Sequence, residues 1–189
     1  MAKSVISQID NYINNLKTTL DNLDKSEIEN FVTLLKEAQS NKQNIIVIGN
    51  GGSATTASHL ACDINKPIDS DYSNRFKIIC LNDNPSTILA YGNDISFEDV
   101  FVEQLKNFLN KNDLVIAISG SGNSKNLVKA IEYANENGGI TLSLTGYDGG
   151  ILKKISKHSV NTNINDMQIS QDIHLSLVHI AMQIIYELD

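Results

Sequence analysis

Six residues in this sequence have types and spacing that could do chemistry together. His59 and Asp63 are four apart in a helical pattern, so at 3.6 residues per turn they share a face. A histidine and a carboxylate placed so can share a metal or supply acid and base. Spacing alone equally allows a helix-surface ion pair. Near the other end stand Gln171, Asp172, His174 and His179. Asp172 and His179 are seven apart and roughly share a face. Gln171 and His179 are eight apart, about 80° around the helix, and can still reach one wide site. The rest of that segment (Ile173, Leu175, Val178, Ile180, Met182, Ile184) reads as core. A plain core helix would bury one of these two histidines and expose the other. His158 precedes a polar segment and reads as surface.

Two loops look suited to an anion. They are Gly49-Asn50-Gly51-Gly52-Ser53 and Ser119-Gly120-Ser121-Gly122-Asn123-Ser124, each between an apolar run and a helical segment. Glycine lets the backbone approach a phosphate, and a helix N-terminus offers unpaired N–H groups at its positive end. One such loop is equally well a tight turn with a serine cap. Two of them, at adjacent strand ends, point to phosphate held by the Ser53 backbone and by Ser119, Ser121 or Ser124. The first loop also matches G-x-G-x-x-A. The acidic residue of a dinucleotide site is missing after the second strand, where Asp83 comes too late, so no nucleotide cofactor is expected.

These loops need a scaffold. Apolar residues at steps of three and four (Val5, Ile6, Ile9, Tyr12, Ile13, Leu16, Leu20) predict a helix over 5–20. A second follows, opened by Ser26 and Glu29 as a capping box. Short apolar runs predict buried strands at 45–48, 76–81, 114–118 and 140–144, with a weaker polar strand at 159–164. Helical segments at 53–65, 86–92, 97–109, 124–136, 150–156 and 167–188 separate or follow them. Strands alternating with helices mean a parallel sheet covered on both faces. The chain reads as one domain, 1–189: a helical pair over 1–40 that needs a further surface, and an α/β core over 44–189. The polar loop 65–75 is either a lid or a connection.

Composition excludes several classes. Fifteen basic against 22 acidic residues give a net charge of −7, and Arg75 is the one arginine. A nucleic-acid binder needs a cationic footprint that this chain lacks. No run approaches about 18 uninterrupted apolar residues, so no membrane span is expected. Cys62 and Cys80 are too few for a disulfide scaffold and read as small buried hydrophobes. The default is a cytoplasmic protein.

The runs GNGGSATTASHLACD, AISGSGNSKNLVKAI, LTGYDGG and QDIHLSLVHI resemble the SIS (sugar isomerase) domain family, and within it the phosphoheptose isomerases. The resemblance spans essentially the whole chain. It implies a three-layer αβα fold on a five-stranded parallel sheet. It also implies a homotetramer with sites between subunits, which would give the N-terminal helices their surface. Asn50, Gly51, Gly52, Ser53, Ser119, Ser121 and Ser124 fall where the family holds the sugar phosphate, and Asp94 where it contacts substrate. His59, Asp63, Gln171 and His179 fall on zinc-ligand and catalytic positions. The implied catalytic pair is Asp63 and His179. His174, five residues before His179 and about 140° around the helix, is expected to tolerate alanine far better than His179.

The implied reaction converts sedoheptulose 7-phosphate to D-glycero-D-manno-heptose 7-phosphate through an enediol, for bacterial surface heptose. Such chemistry needs a base beside the carbonyl, and a carboxylate or imidazole can serve. Other SIS proteins isomerise different sugar phosphates. A non-catalytic group binds a replication initiator protein but lacks the carboxylate and the last histidine. The chain also departs from the phosphoheptose isomerase pattern. Asp63 replaces a glutamate, Pro67 beside Lys66 replaces an arginine, and Gln168 replaces an aspartate.

Overall fold

A computed structural model describes residues 4–66 and 75–188. The elements run α1 (Val5–Asp21), α2 (Lys25–Ser40), β1 (Ile45–Gly49), α3 (Gly52–Asn65), β2 (Ile78–Cys80), α4 (Pro85–Asp94) and α5 (Val102–Phe108). They continue with β3 (Leu114–Ser119), α6 (Lys125–Glu136), β4 (Ile140–Thr145), α7 (Gly150–Ile155), β5 (His158–Asn161) and α8 (Met167–Leu188). All five strands pair in parallel, in the order β2-β1-β3-β4-β5. The three-layer fold and five-stranded sheet are those implied by the family resemblance.

The apolar strands pack on two sides because successive side chains face opposite ways. Ile45, Val47, Leu114, Ile116 and Leu142 meet α2, α3 and α8, including Phe31, Leu60 and Ile173. Ile46, Ile48, Val115 and Ala117 meet α5, α6 and α7, including Leu105, Leu127 and Leu152. β1 is the point where strand order reverses, with β2 on one side and β3 on the other. Ligands of such sheets bind outside the carboxyl ends at this point. Both glycine–serine loops open there.

Several local expectations need correction. Asp24, not Ser26, caps α2: its carboxylate accepts from the Ser26 N–H at 2.9 Å and leaves Ser26 inside the helix. The second strand shortens to Ile78–Cys80, the polar strand starts at His158 and ends at Asn161, and the segment at 97–109 is helical only over Val102–Phe108. Cys80 is buried but Cys62 is exposed. His158 is half-buried, its Nδ1 bonded to the Asn30 amide at 3.0 Å. The N-terminal pair also divides. α2 buries Phe31, Leu35 and Ala38 in its own chain's core, whereas Val5 and Ile6 of α1 remain 71% and 72% exposed. Most of the loop 65–75 lies outside the described residues. Among the described residues no helix is long and apolar enough to cross a membrane.

Candidate active site

The two loops form the walls of one cleft of about 340 Å³. Asn50, Gly51, Gly52 and Ser53 line one side, and Ser119, Gly120, Ser121 and Ser124 the other. Ile118, Met167 and Gln171 complete it. None of these residues is ionised, so an anion here meets backbone dipoles and hydroxyls. The helices behind the loops are suited to that. α1, α2 and α4 have side-chain caps from Ser4, Asp24 and Asn84, but α3 and α6 start with no side-chain cap. Ser124 therefore stands at the start of α6 with its hydroxyl not spent on the helix. Ser119 Oγ accepts from the Gly122 N–H at 3.1 Å, which closes the second loop on itself. Gly122, at φ +64°, has its α-carbon against the Gly149 carbonyl, and any side chain there would collide with it. The Ser53 N–H differs from expectation: it donates to the Asn50 carbonyl at 3.0 Å, which leaves Ser53 its hydroxyl for a ligand.

His59, Asp63 and His179 converge about two turns from this cleft. α3 and α8 pack side by side and run the same way, since Gln171 lies over Gly52, His179 meets His59, and Tyr186 bonds the end of α3. His59 Nε2 is 2.8 Å from His179 Nε2 and 3.0 Å from Asp63 Oδ2, and His179 Nε2 is 3.9 Å from that oxygen. The group is open to ligand, with His179 47% exposed and Asp63 24%. Two ring nitrogens at this separation can hold only one proton between them. Three such ligand atoms within 3.9 Å of one another are instead well used around a cation. A tetrahedral ion with bonds of about 2.0–2.2 Å spaces its ligand atoms about 3.4 Å apart, and the three observed spacings bracket that value. The two-nitrogen, one-oxygen donor set suits zinc.

Comparisons with known proteins give the family. A family model for the SIS domain matches residues 10–146. The chain belongs to the SIS domain family. A phosphoheptose isomerase from Helicobacter pylori (strain P12) is 37% identical over 172 residues, 87% of this chain and 85% of that one. A probable phosphoheptose isomerase from Thermoplasma acidophilum is 32% identical over 166 residues, 88% of this chain and 91% of that one. Among solved structures, a phosphoheptose isomerase from Neisseria gonorrhoeae superposes with a TM-score of 0.89 at 25% identity, covering 97% of this chain and all of the other.

This SIS domain brings together most of the residues singled out in the sequence. His59, Asp63 and His179 form one group. Asn50, Gly51, Gly52, Ser53, Ser119, Ser121, Ser124 and Gln171 line one cleft. Gln171 sits at the loop end, its amide against Gly52. Asp94 stands exposed as the last residue of α4, outside the cleft lining. Asp172 turns away from His179 and accepts the Tyr12 hydroxyl at 2.6 Å, which ties α1 to α8 and pushes the Tyr12 pKa up to about 12.

His174 is the buried histidine, fully enclosed with neither ring nitrogen hydrogen-bonded. Burial pushes its pKa down to about 4; the nearby Thr145 carbonyl offsets part of this without reaching hydrogen-bonding geometry. Truncation to alanine there would open a cavity and cost stability.

Sequence reasoning missed the residues that hold the site in place. Asn82 clamps Gly49 with two bonds, accepting from its N–H at 3.1 Å and donating to its carbonyl at 2.8 Å. Asn126, buried on α6, exchanges amide bonds of 2.8 and 3.0 Å with Asn50 and so joins the two loops. The Tyr186 hydroxyl reaches the Asp63 and Lys66 carbonyls at 2.9 Å each and fixes the last turn of α3. Only Asn82 carried a sequence signal, since a polar residue directly after the apolar run 76–81 marks the ligand-facing edge.

Proposed function

We propose that this chain is an aldose–ketose isomerase. It converts sedoheptulose 7-phosphate to D-glycero-D-manno-heptose 7-phosphate in the cytoplasm and supplies surface-heptose synthesis. The distance between the two halves of the site carries the reading. Six residues from Ser53 to His59 rise about 9 Å along α3, and eight from Gln171 to His179 about 12 Å along α8. In sedoheptulose 7-phosphate seven bonds separate the carbonyl carbon C2 from phosphorus, about 9 Å when extended at about 1.3 Å per bond. A heptose phosphate therefore spans from the loops to the histidine–carboxylate group.

The roles follow from position. The Ser53, Ser119, Ser121 and Ser124 hydroxyls and the helix ends behind them hold the phosphate, and Gln171 orients the sugar. Asp63 turns Oδ2 to the two histidines and keeps Oδ1 to take the proton from the carbon beside the carbonyl. While on the carboxylate that proton exchanges with solvent, and a proton is then returned to the neighbouring carbon, which completes the isomerisation. His179 moves protons at the substrate oxygens. When zinc is held by His59, Asp63 and His179, with Gln171 as a further oxygen donor, it supplies a Lewis acid for the enediolate. Asp94 contacts the sugar from outside the cleft.

The exposed stripe of α1 and the groove of about 550 Å³ lined by Leu20, Leu23, Ile28, Val32, Ile180 and Ile184 support a homotetramer built partly on this face. Ile180 and Ile184 place that groove on the helix that carries His179. Light scattering is expected to give four times 20.8 kDa for the wild type. The Ile6→Asp/Ile9→Asp double variant is expected to give a smaller species.

NMR of the products formed from sedoheptulose 7-phosphate, with and without chelator, tests the function. Appearance of the aldose heptose 7-phosphate, lost on chelation and restored by zinc, is the expected result. No conversion by the zinc-loaded tetramer would overturn it.

A further inference from the structure

The cleft is lined by glycines and by serine, asparagine and glutamine side chains, with two exceptions. Ile118 is part of the core at the end of β3, whereas Met167, half-buried, comes from the first residue of α8. Its thioether lies directly on Gly120, so that a methyl group added at that glycine would overlap the sulfur. One turn further on, Gln171 lies on Gly52 in the same manner, 2.7 Å from where a methyl would stand. The start of α8 thus covers one glycine of each loop. The two covers differ in chemistry. Gln171 is polar and faces the sugar. Met167 lies about 6 Å further back along α8, and about 18 Å from His179. It therefore stands at the end of the cleft opposite the histidine–carboxylate group.

We propose that Met167 is a specificity-determining residue. Its thioether closes the far end of the phosphate cleft, so that the site takes a terminal phosphomonoester and rejects a phosphate that carries a second organic substituent. This rests on the reading of the two loops as the phosphate site. A sugar reaching from the loops to His59 and His179 uses one phosphorus substituent. A second one would have to leave where Met167 covers Gly120. Methionine suits the position because its unbranched chain fills irregular space and offers no donor that a second ester group could use.

The test compares affinities for sedoheptulose 7-phosphate and for the methyl ester of its phosphate, by calorimetry on the zinc-loaded protein. The wild type is expected to prefer the monoester by at least fiftyfold. Met167→Ala is expected to cut that preference at least fivefold. Met167→Leu, which restores the bulk without sulfur, is expected to keep it within fivefold of wild type. Met167→Thr replaces the alanine variant if the latter does not fold. A preference changed less than fivefold by shortening the side chain, or lost equally in the leucine variant, overturns the proposal while leaving the phosphate site standing. Failure of both compounds to bind the wild type overturns the phosphate reading and this proposal together.

Discussion

The two ends of the α3–α8 pair are built on different principles. The loop end has no ionised side chain: glycines, serines and helix starts without caps do the work there. The other end concentrates the titratable groups, with two imidazoles and a carboxylate within 3.9 Å. An anion can be held by many weak backbone dipoles because it needs only charge complementarity. A proton transfer needs particular groups at particular points. Binding and chemistry are therefore separable, and substitutions at the two ends should fail in different ways.

The largest effect is expected at the chemical end. His179→Ala should lower kcat by about a thousandfold or more, within the range that loss of a general acid–base group produces. Measured by deuterium uptake from solvent at the reacting carbons, exchange should vanish. Affinity for inorganic phosphate, measured by calorimetry, should change less than threefold. A parallel loss of phosphate binding would mean that the two ends are not separate.

His174 sharpens the contrast because it lies on α8 between the two ends and serves neither. Its folded pKa of about 4 lies below the ordinary 6.5 of the unfolded chain, so unfolding takes up a proton between those values. Stability is complete above about pH 6.5 and is lost as pH falls towards 4, by about 3 kcal/mol from this residue. Urea unfolding of His174→Leu across that range should show a correspondingly flatter pH profile. With no hydrogen bond to lose, the leucine variant should match or exceed wild-type stability at pH 5, and its kcat should stay within threefold. An unchanged pH slope would remove the buried imidazole as the cause.

The smallest effect belongs to the loop end. Ser121→Ala removes one charge-assisted hydrogen bond, worth roughly 1.5–3 kcal/mol, and should raise KM about tenfold or more with kcat little changed. A fall in kcat at constant KM would place Ser121 with the chemistry instead.

The same division governs what could be read from the sequence. The loops were legible because their function lies in consecutive residues: the glycines, serines and flanking apolar strands sit side by side in the chain. The sheet was legible for the same reason, with Ile45–Ile48 and Leu114–Ile118 each buried on both faces. The histidine–carboxylate group was not legible from spacing, since His59 and His179 are 120 residues apart and only the parallel packing of α3 on α8 joins them. Spacing set His174 about 140° around α8 from His179, but only burial, a tertiary property, shows that His174 is the enclosed one. Asn126, Asn82 and Tyr186 were missed because each acts on backbone or amide groups far away in sequence. α1 and α2 look alike as amphipathic patterns, yet one packs on its own sheet and the other keeps its apolar face exposed.

The central claim is that one substrate bridges the two ends, with its length matched to the distance between them. It is tested most directly by measuring deuterium incorporation from solvent into ketose phosphates of five, six and seven carbons with the zinc-loaded protein. Exchange should be fastest by far for the seven-carbon compound and fall steeply for the five-carbon one, while all three compete equally well with phosphate for the loops. Equal exchange across the series, or fastest exchange in the shortest sugar, would contradict the account.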